Sequence, residues 1–206
     1  KEHNIKKTCY NNFKSIQKSI VNNEIRGCIK LLISDNSNSL ALDYAKSQLI
    51  DSKIINRSFF NNYQEYSRYL LSILDGIYPD LIILSGYLKK IPRSIINKYK
   101  FKILNIHPSL LPKFGGKGFF GINVHKAVIK SKEKFSGVTI HFVTENYDEG
   151  PIIYQQKTQI RKNEKPEDLA KRILKIEHQI YPYVIKCFCN NGIERINGQP
   201  QIKGVR

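Results

Sequence analysis

The sequence predicts an α/β fold, a doubly wound and mostly parallel sheet in one domain, and three observations predict it. Short apolar runs alternate with longer segments of helical periodicity. The run 81–84, L-I-I-L, is continuously apolar, as suits a strand covered on both faces. The stretch 101–121 passes from an apolar strand through a polar pair into a Pro/Gly loop, the way a site is built at the carboxyl edge of a parallel sheet. At 206 residues, 41% of them hydrophobic, the chain is large enough for one domain with a substantial core.

Taken in order, residues 1–10 are polar and contain no glycine. A doubly wound fold usually opens there with a buried strand and a glycine-rich turn that holds phosphate, so that strand and loop are expected to be missing. Residues 11–21 read as an amphipathic helix, with Phe13, Ile16, Ile20 and Val21 at helical spacing and Asn11 or Asn12 as N-cap. Residues 27–34 read as a strand, 35–39 as a polar turn, 40–48 as a short helix and 51–56 as a further strand. Residues 61–77 form a helix whose apolar stripe is Tyr66, Tyr69, Leu70, Ile73 and Leu74. Pro79-Asp80 ends it, and the strand 81–84 follows. Ser85-Gly86-Tyr87 turns the chain outward. Pro92 sits near the start of a helix through Tyr99, where its missing N–H does no harm. The strand 101–106 and its glycine loop precede a helix over 122–132, with Val124, Ala127 and Val128 inward. Residues 137–144 alternate with period two and predict a strand, 145–150 a turn and 151–159 another extended segment. Pro166 opens a long helix to about Asn190, with Leu169, Ile173, Ile176, Ile180 and Ile185 inward and Pro182 expected to bend it. Residues 192–206 read as a terminal hairpin or tail, and no repeat, linker or second domain is evident.

Composition excludes several classes. No apolar run approaches the roughly 20 residues that span a bilayer, and the start of the chain lacks the apolar core of a secretory signal. Cys9, Cys28, Cys187 and Cys189 show neither disulfide-rich nor paired metal-site spacing, which points to reduced thiols and a cytoplasmic setting. The net charge of +17 invites a nucleic-acid reading. Against it, the lysines are scattered, and the tyrosines and phenylalanines sit inside apolar periodic segments. A positive field also draws in small anionic substrates, which fits better.

The chemistry centres on the end of the strand 101–106. Asn105 and His107, spaced i and i+2, point to one side of it. Pro108 cannot continue a ladder, and Pro112 with Gly115, Gly116, Gly118 and Gly121 makes an open loop. By itself such a pair either caps a strand or forms a site, and Asp148 in E-N-Y-D-E-G is either a turn cap or a catalytic carboxylate. The longer runs decide more. N-I-H-P-S-L-L-P, residues 105–112, resembles the signature of the folate-dependent formyltransferases. So do L-I-I-L-S-G-Y-L-K-K-I-P at 81–92, G-G-K-G-F-F-G at 115–121, S-G-V-T-I-H-F-V-T-E-N-Y-D-E-G-P at 136–151 and E-H-Q-I-Y-P at 177–182. The likeness spans about residues 11–195.

That resemblance implies a Rossmann-like formyltransferase fold and transfer of the formyl group of 10-formyltetrahydrofolate to the amine of 5′-phosphoribosylglycinamide. It implies Asn105, His107 and Asp148 as the catalytic set. The chemistry agrees, because attack on a formyl carbon makes an oxyanion. Asn105 and a protonated His107 are donors to it, and Asp148 favours the charged imidazole and relays a proton. The resemblance places the folate pocket at Tyr87, Leu88, Lys89, Ile91, Asn146, Tyr147 and Asp148. Lys89 is either a partner for the folate glutamate or a solvated surface lysine. Asn12 matches the family's phosphate-binding asparagine and Asn11 its neighbouring serine. The amine substrate is expected along Ile106 to Pro108, near Glu177. Glu177 is otherwise a helix-surface partner of Lys171, Arg172 or Lys175. Lys113 and Lys117 are candidate phosphate contacts, and His141 is expected to be a structural neighbour. No metal site is expected, and the expected partners are small molecules, with no nucleic acid or membrane and a monomer or homodimer as the assembly. The alternatives left open are a sugar amine as acceptor and a non-catalytic folate-binding remnant without the phosphate loop.

Overall fold

The computed structural model describes residues 2–204, with side chains from Tyr10 onward. Its first element is the helix α1 (Glu2–Val21). The helix expected at 11–21 therefore begins earlier, and Asn11 and Asn12 lie inside it rather than at its cap. The physical reason is local: residues 2–10 contain no proline or glycine to stop a helix.

A parallel pair follows, β1 (Leu32–Ser34) with β2 (Ser52–Ile54), joined by α2 (Leu40–Ser47), whose cap Ser39 accepts from the Ala41 N–H. The strand expected at 27–34 is paired only over its last three residues. A 3-10 turn at Arg57–Phe59 leads to α3 (Tyr63–Ile77), capped by Asn62 accepting from Glu65 N–H. The main sheet then runs β3-β4-β5-β6: β3 (Ile82–Leu84), β4 (Ile103–His107), β5 (Phe135–Phe142) and β6 (Ile152–Gln159). β3 and β4 are parallel, while β5 and β6 join antiparallel, as α/β sheets often allow at one side. α4 (Arg93–Lys98) connects β3 to β4, and α5 (Ile122–Lys130) connects β4 to β5.

The long helix α6 (Pro166–Cys189) carries Pro182 in its interior. It packs Leu169, Ile173, Ile180, Tyr181, Val184 and Ile185 against Leu104, Ile106, Val138 and Ile140 of the sheet, together with Ile16 of α1. The second core cluster joins α3 and α4 to the other side of β4 through Tyr66, Leu70, Leu74, Ile95, Ile96, Tyr99 and Ile103. β4 is thus covered on both faces. β5 is buried along nearly its whole length, although its sequence alternates with period two. The end of the chain forms the hairpin β7 (Ile193–Ile196) and β8 (Gln199–Ile202). Arg195 of this hairpin stacks on Phe101, which meets Phe142 of β5 edge-on. Among the described residues, no helix is long and apolar enough to cross a membrane.

Candidate active site

The carboxyl end of β4 brings Asn105 and His107 to one side of the sheet, opposite His141 and Thr139 of antiparallel β5. The turn after β5 returns Asp148 to the same place. Asp148 has φ +57, a left-handed conformation that aspartate tolerates better than most residues. Two residues on, a Cβ at Gly150 would overlap the Phe142 carbonyl, so only glycine lets the turn close this tightly.

These groups meet. Asp148 Oδ2 is 3.4 Å from His107 Nδ1, and Asp148 Oδ1 is 3.5 Å from Asn105 Nδ2. His141 joins them, its Nε2 3.2 Å from Asn105 Nδ2 and 3.5 Å from Asp148 Oδ1. His141 Nδ1 lies 2.9 Å from the Phe142 carbonyl, which only accepts, so that nitrogen carries a hydrogen and Nε2 is turned toward Asn105 and Asp148. His141 was expected from sequence as a neighbour of the site, and its contacts to Asn105 and Asp148 put it there. The signal for those contacts was the strand register, which a period-two pattern alone does not reveal.

The glycine loop supplies two further contacts that sequence reasoning missed. The Phe114 carbonyl accepts from His107 Nε2 at 2.8 Å, and the Gly116 N–H donates to Asp148 Oδ2 at 2.9 Å. With Nε2 bearing a hydrogen, a neutral His107 turns a bare Nδ1 toward the carboxylate, and protonation turns that contact into an ion pair. Burial lowers the His107 pKa, and His141 adds to this. Asp148 and the Phe114 carbonyl oppose them without cancelling them. Burial works against ionisation of Asp148, but the imidazoles of His141 and His107 and the Gly116 N–H outweigh it and hold its carboxyl below the usual range. The site is therefore an ionised carboxylate beside an imidazole that resists charge until something favours it.

The expected folate-pocket residues line one cleft beside this centre. Tyr87, Lys89 and Ile91 line it together with Asn146, Tyr147 and Asp148, and so do Leu84, Asn105 and Val143. Leu88 takes part through its carbonyl, which accepts from the Tyr147 hydroxyl at 3.4 Å. Tyr87 is fixed from behind by Tyr66, hydroxyl to hydroxyl at 2.9 Å. Lys89 is paired with Asp35 at 2.9 Å and is half exposed. The neighbouring carboxylate Glu149 turns away and accepts from Asn146 at 2.8 Å.

The second expected cluster also forms, with a correction. Glu177 is 3% exposed and not on a helix surface. Arg172 pairs with Glu164 at 2.7 Å and Lys171 with Asp168 at 3.3 Å, so neither serves Glu177. Glu177 instead accepts from Asn12 Nδ2 at 2.7 Å across 165 residues of chain. Burial pushes its carboxyl up to about 7, with the Asn12 amide pulling the other way. Asn12 is fully buried and its Oδ1 has no partner, while Asn11 is half-buried on the same helix. One turn beyond Glu177, the Tyr181 hydroxyl donates to the Leu84 carbonyl at 2.7 Å and reaches that of Leu104 at 3.2 Å, so α6 abuts the ends of β3 and β4. Ile106 packs into the core and Pro108 is half-buried at the strand end. Lys113 is paired with Glu133 at 2.8 Å and Lys117 is exposed. No group of three or more His, Cys, Asp or Glu able to hold a metal occurs among the described residues.

A doubly wound domain with an amide, an imidazole and a carboxylate at its strand ends defines a protein of the group-transfer class. Residues 5–185 match the family model described as formyl transferase, and the chain belongs to that family. It is 38% identical over 194 residues to a chloroplastic phosphoribosylglycinamide formyltransferase of Arabidopsis thaliana, covering 93% of this chain and 66% of that one. It is 28% identical to the Escherichia coli protein called phosphoribosylglycinamide formyltransferase, covering 95% of this chain and 90% of that one. The crystal structure of glycinamide ribonucleotide transformylase 1 from Symbiobacterium toebii superposes with a TM-score of 0.85 at 30% identity, covering 93% of this chain and 88% of the other.

Proposed function

We propose that the protein transfers the formyl group of 10-formyltetrahydrofolate to the amine of 5′-phosphoribosylglycinamide, in purine synthesis, and that residues 1–206 act as one formyltransferase domain. The observation that carries the proposal is the convergence of Asn105 and His107 on Asp148, at 3.5 and 3.4 Å, beside the cleft. The names and coverage of the relatives support the same acceptor. A cytoplasmic setting belongs to the proposal and is in keeping with free Cys28, Cys187 and Cys189.

In this reading the pterin lies between Tyr87–Ile91 and Asn146–Asp148, with its formyl carbonyl over the Asn105 amide. The acceptor lies along Ile106 to Pro108 toward the Asn12–Glu177 pair. The amine attacks the formyl carbon, and the carbonyl π electrons move to oxygen. One N–H of Asn105 is held on His141; the other, only 3.5 Å from Asp148, is free to turn to the oxyanion. The new negative charge and Asp148 together favour the imidazolium form of His107, which burial alone disfavours. Asp148 takes the proton that the amine gives up, through water, and returns it by the same route to the departing folate nitrogen as its bond to carbon breaks. Atoms and charge balance with no covalent bond to the protein.

The test is to mix the protein with both substrates and follow formation of the deformylated folate. Turnover that requires both supports the proposal. Folate binding by calorimetry, with no glycinamide ribonucleotide binding and no turnover, replaces it with the non-catalytic reading.

A further inference from the structure

The reaction scheme uses three side chains and leaves unused the loop that lies on two of them. Phe114 and Gly116 are two residues apart, and one caps the imidazole while the other caps the carboxylate. The capped carboxylate oxygen, Asp148 Oδ2, is the one that faces His107 Nδ1. Carbonyl, imidazole, carboxylate and amide therefore form one closed ring of contacts.

We infer that residues 114–116 are a positioning bracket for the formyl-transfer centre, in which the Phe114 carbonyl sets the plane and hydrogen position of His107 and the Gly116 N–H sets the oxygen it faces. The inference rests on the formyl-transfer reading for its kinetic consequence only; the bracket itself stands on geometry.

The local backbone shows why glycine stands here. Phe114 and Gly116 have φ +57 and +91. A Cβ at Gly115 would lie 2.5 Å from Leu111 Cδ2 and 3.1 Å from Asp148 Cβ, so a side chain there drives the loop off the carboxylate. A Cβ added at Gly116 meets nothing within 4 Å, so the obstacle to substitution there is its positive φ. The bracket is also anchored from below. The Thr139 hydroxyl donates to the Ser109 carbonyl at 2.6 Å and accepts from Leu111 N–H at 3.1 Å. Gln155 of β6 donates to the Leu111 carbonyl at 3.0 Å, and the Ser109 hydroxyl to that of Lys113 at 2.8 Å. The sheet thus fixes the loop, and the loop fixes the reacting pair.

Gly118 provides a matched control. Its φ is +93 and nothing lies within 4 Å of its would-be Cβ, so alanine there meets the same backbone strain two residues beyond the bracket. The experiment compares Gly116→Ala with Gly118→Ala. Both are expected to lose similar thermal stability. Only Gly116→Ala is expected to lose kcat, by about 10- to 100-fold, as misplacement of a reacting group does. Its acid limb in kcat/KM should also move to higher pH. The groups facing Asp148 are Asn105 and His107 of β4, His141 of β5 and Gly116 of the loop, and only the last of these is disturbed. A readout independent of turnover is the NMR titration of the His107 ring, which should change in Gly116→Ala and not in Gly118→Ala. Matching kcat, acid limb and ring titration in the two variants would overturn the bracket. A selective change in the ring titration, in a wild-type protein that transfers no formyl group, would keep the bracket and remove the assigned reaction.

Discussion

Two carboxylates, half-buried Asp148 and fully buried Glu177, end in opposite states. Burial is the largest influence on each and raises both pKa values. Asp148 meets two imidazoles, the Asn105 amide and the Gly116 N–H, and stays below the usual carboxylate range. Glu177 meets one amide, that of Asn12, and is pushed up to about 7. Depth and partners act together: Asp148 is only partly buried and has four donors or imidazoles around it, whereas Glu177 is fully buried with one amide. In the proposed reaction these outcomes divide the work: a fixed charge beside the oxyanion and imidazolium, and an acid able to hold or lose a proton beside the proposed acceptor.

The sharpest way to break this contrast is to remove the fixed charge. Asp148→Asn keeps the shape but offers His107 no anion and the amine no base, so kcat should fall by about 10²–10⁴ with folate binding largely kept. Asn105→Ala removes one oxyanion donor and should cost about 10²–10³ in kcat. Steady-state kinetics with calorimetric folate binding checks both. A kcat unchanged in Asp148→Asn would leave this carboxylate as a turn cap.

Glu177→Gln sharpens the other half. Its folded pKa lies above the unfolded value, so protonated Glu177 stabilises the fold fully below about pH 4.5, and that contribution is lost as pH rises through about 7. A shift of this size corresponds to something on the order of 3 kcal/mol. Glutamine cannot ionise, so the variant should lose less stability than the wild type between pH 5 and 8, as denaturant melts at several pH values will show. Parallel curves would mean that Glu177 is ionised throughout and better partnered than the Asn12 contact implies.

Much of this was legible in the sequence, for reasons that differ by element. Residues 103–112 show both their strand and their loop, because an apolar run and a proline each have one local meaning, while the polar pair between them needed the longer motif. α2 begins at Leu40 as expected, while α3, expected from residue 61, begins at Tyr63 behind its cap Asn62. The start of α1 was misplaced because Asn11 and Asn12 resemble caps, yet nothing before them breaks a helix. Glu177 was half legible: its spacing fits both a helix surface and a buried face, and only packing of α6 on α1 selects the second. His141, Phe114 and Gly116 were the least visible as contacts of the catalytic set. Their contributions come from strand register and main-chain atoms, which no side-chain pattern encodes.

The smallest expected effect is at the mouth of the cleft, where partners compete in water. Lys89 pairs with Asp35, their side chains 44% and 36% exposed, so solvent screens the contact and its loss in Lys89→Ala should change stability by no more than about 1 kcal/mol. If Lys89 instead leaves Asp35 to meet the folate glutamate, the variant should raise KM for the folate by less than about tenfold and leave kcat alone, since a rim charge binds ground and transition states alike. High salt should erase the difference, because an exposed pair is screened within about 10 Å at 0.1 M and more closely above it. An unchanged KM at low salt would assign Lys89 to Asp35 alone and confine recognition of the folate to the cleft between Tyr87 and Asp148.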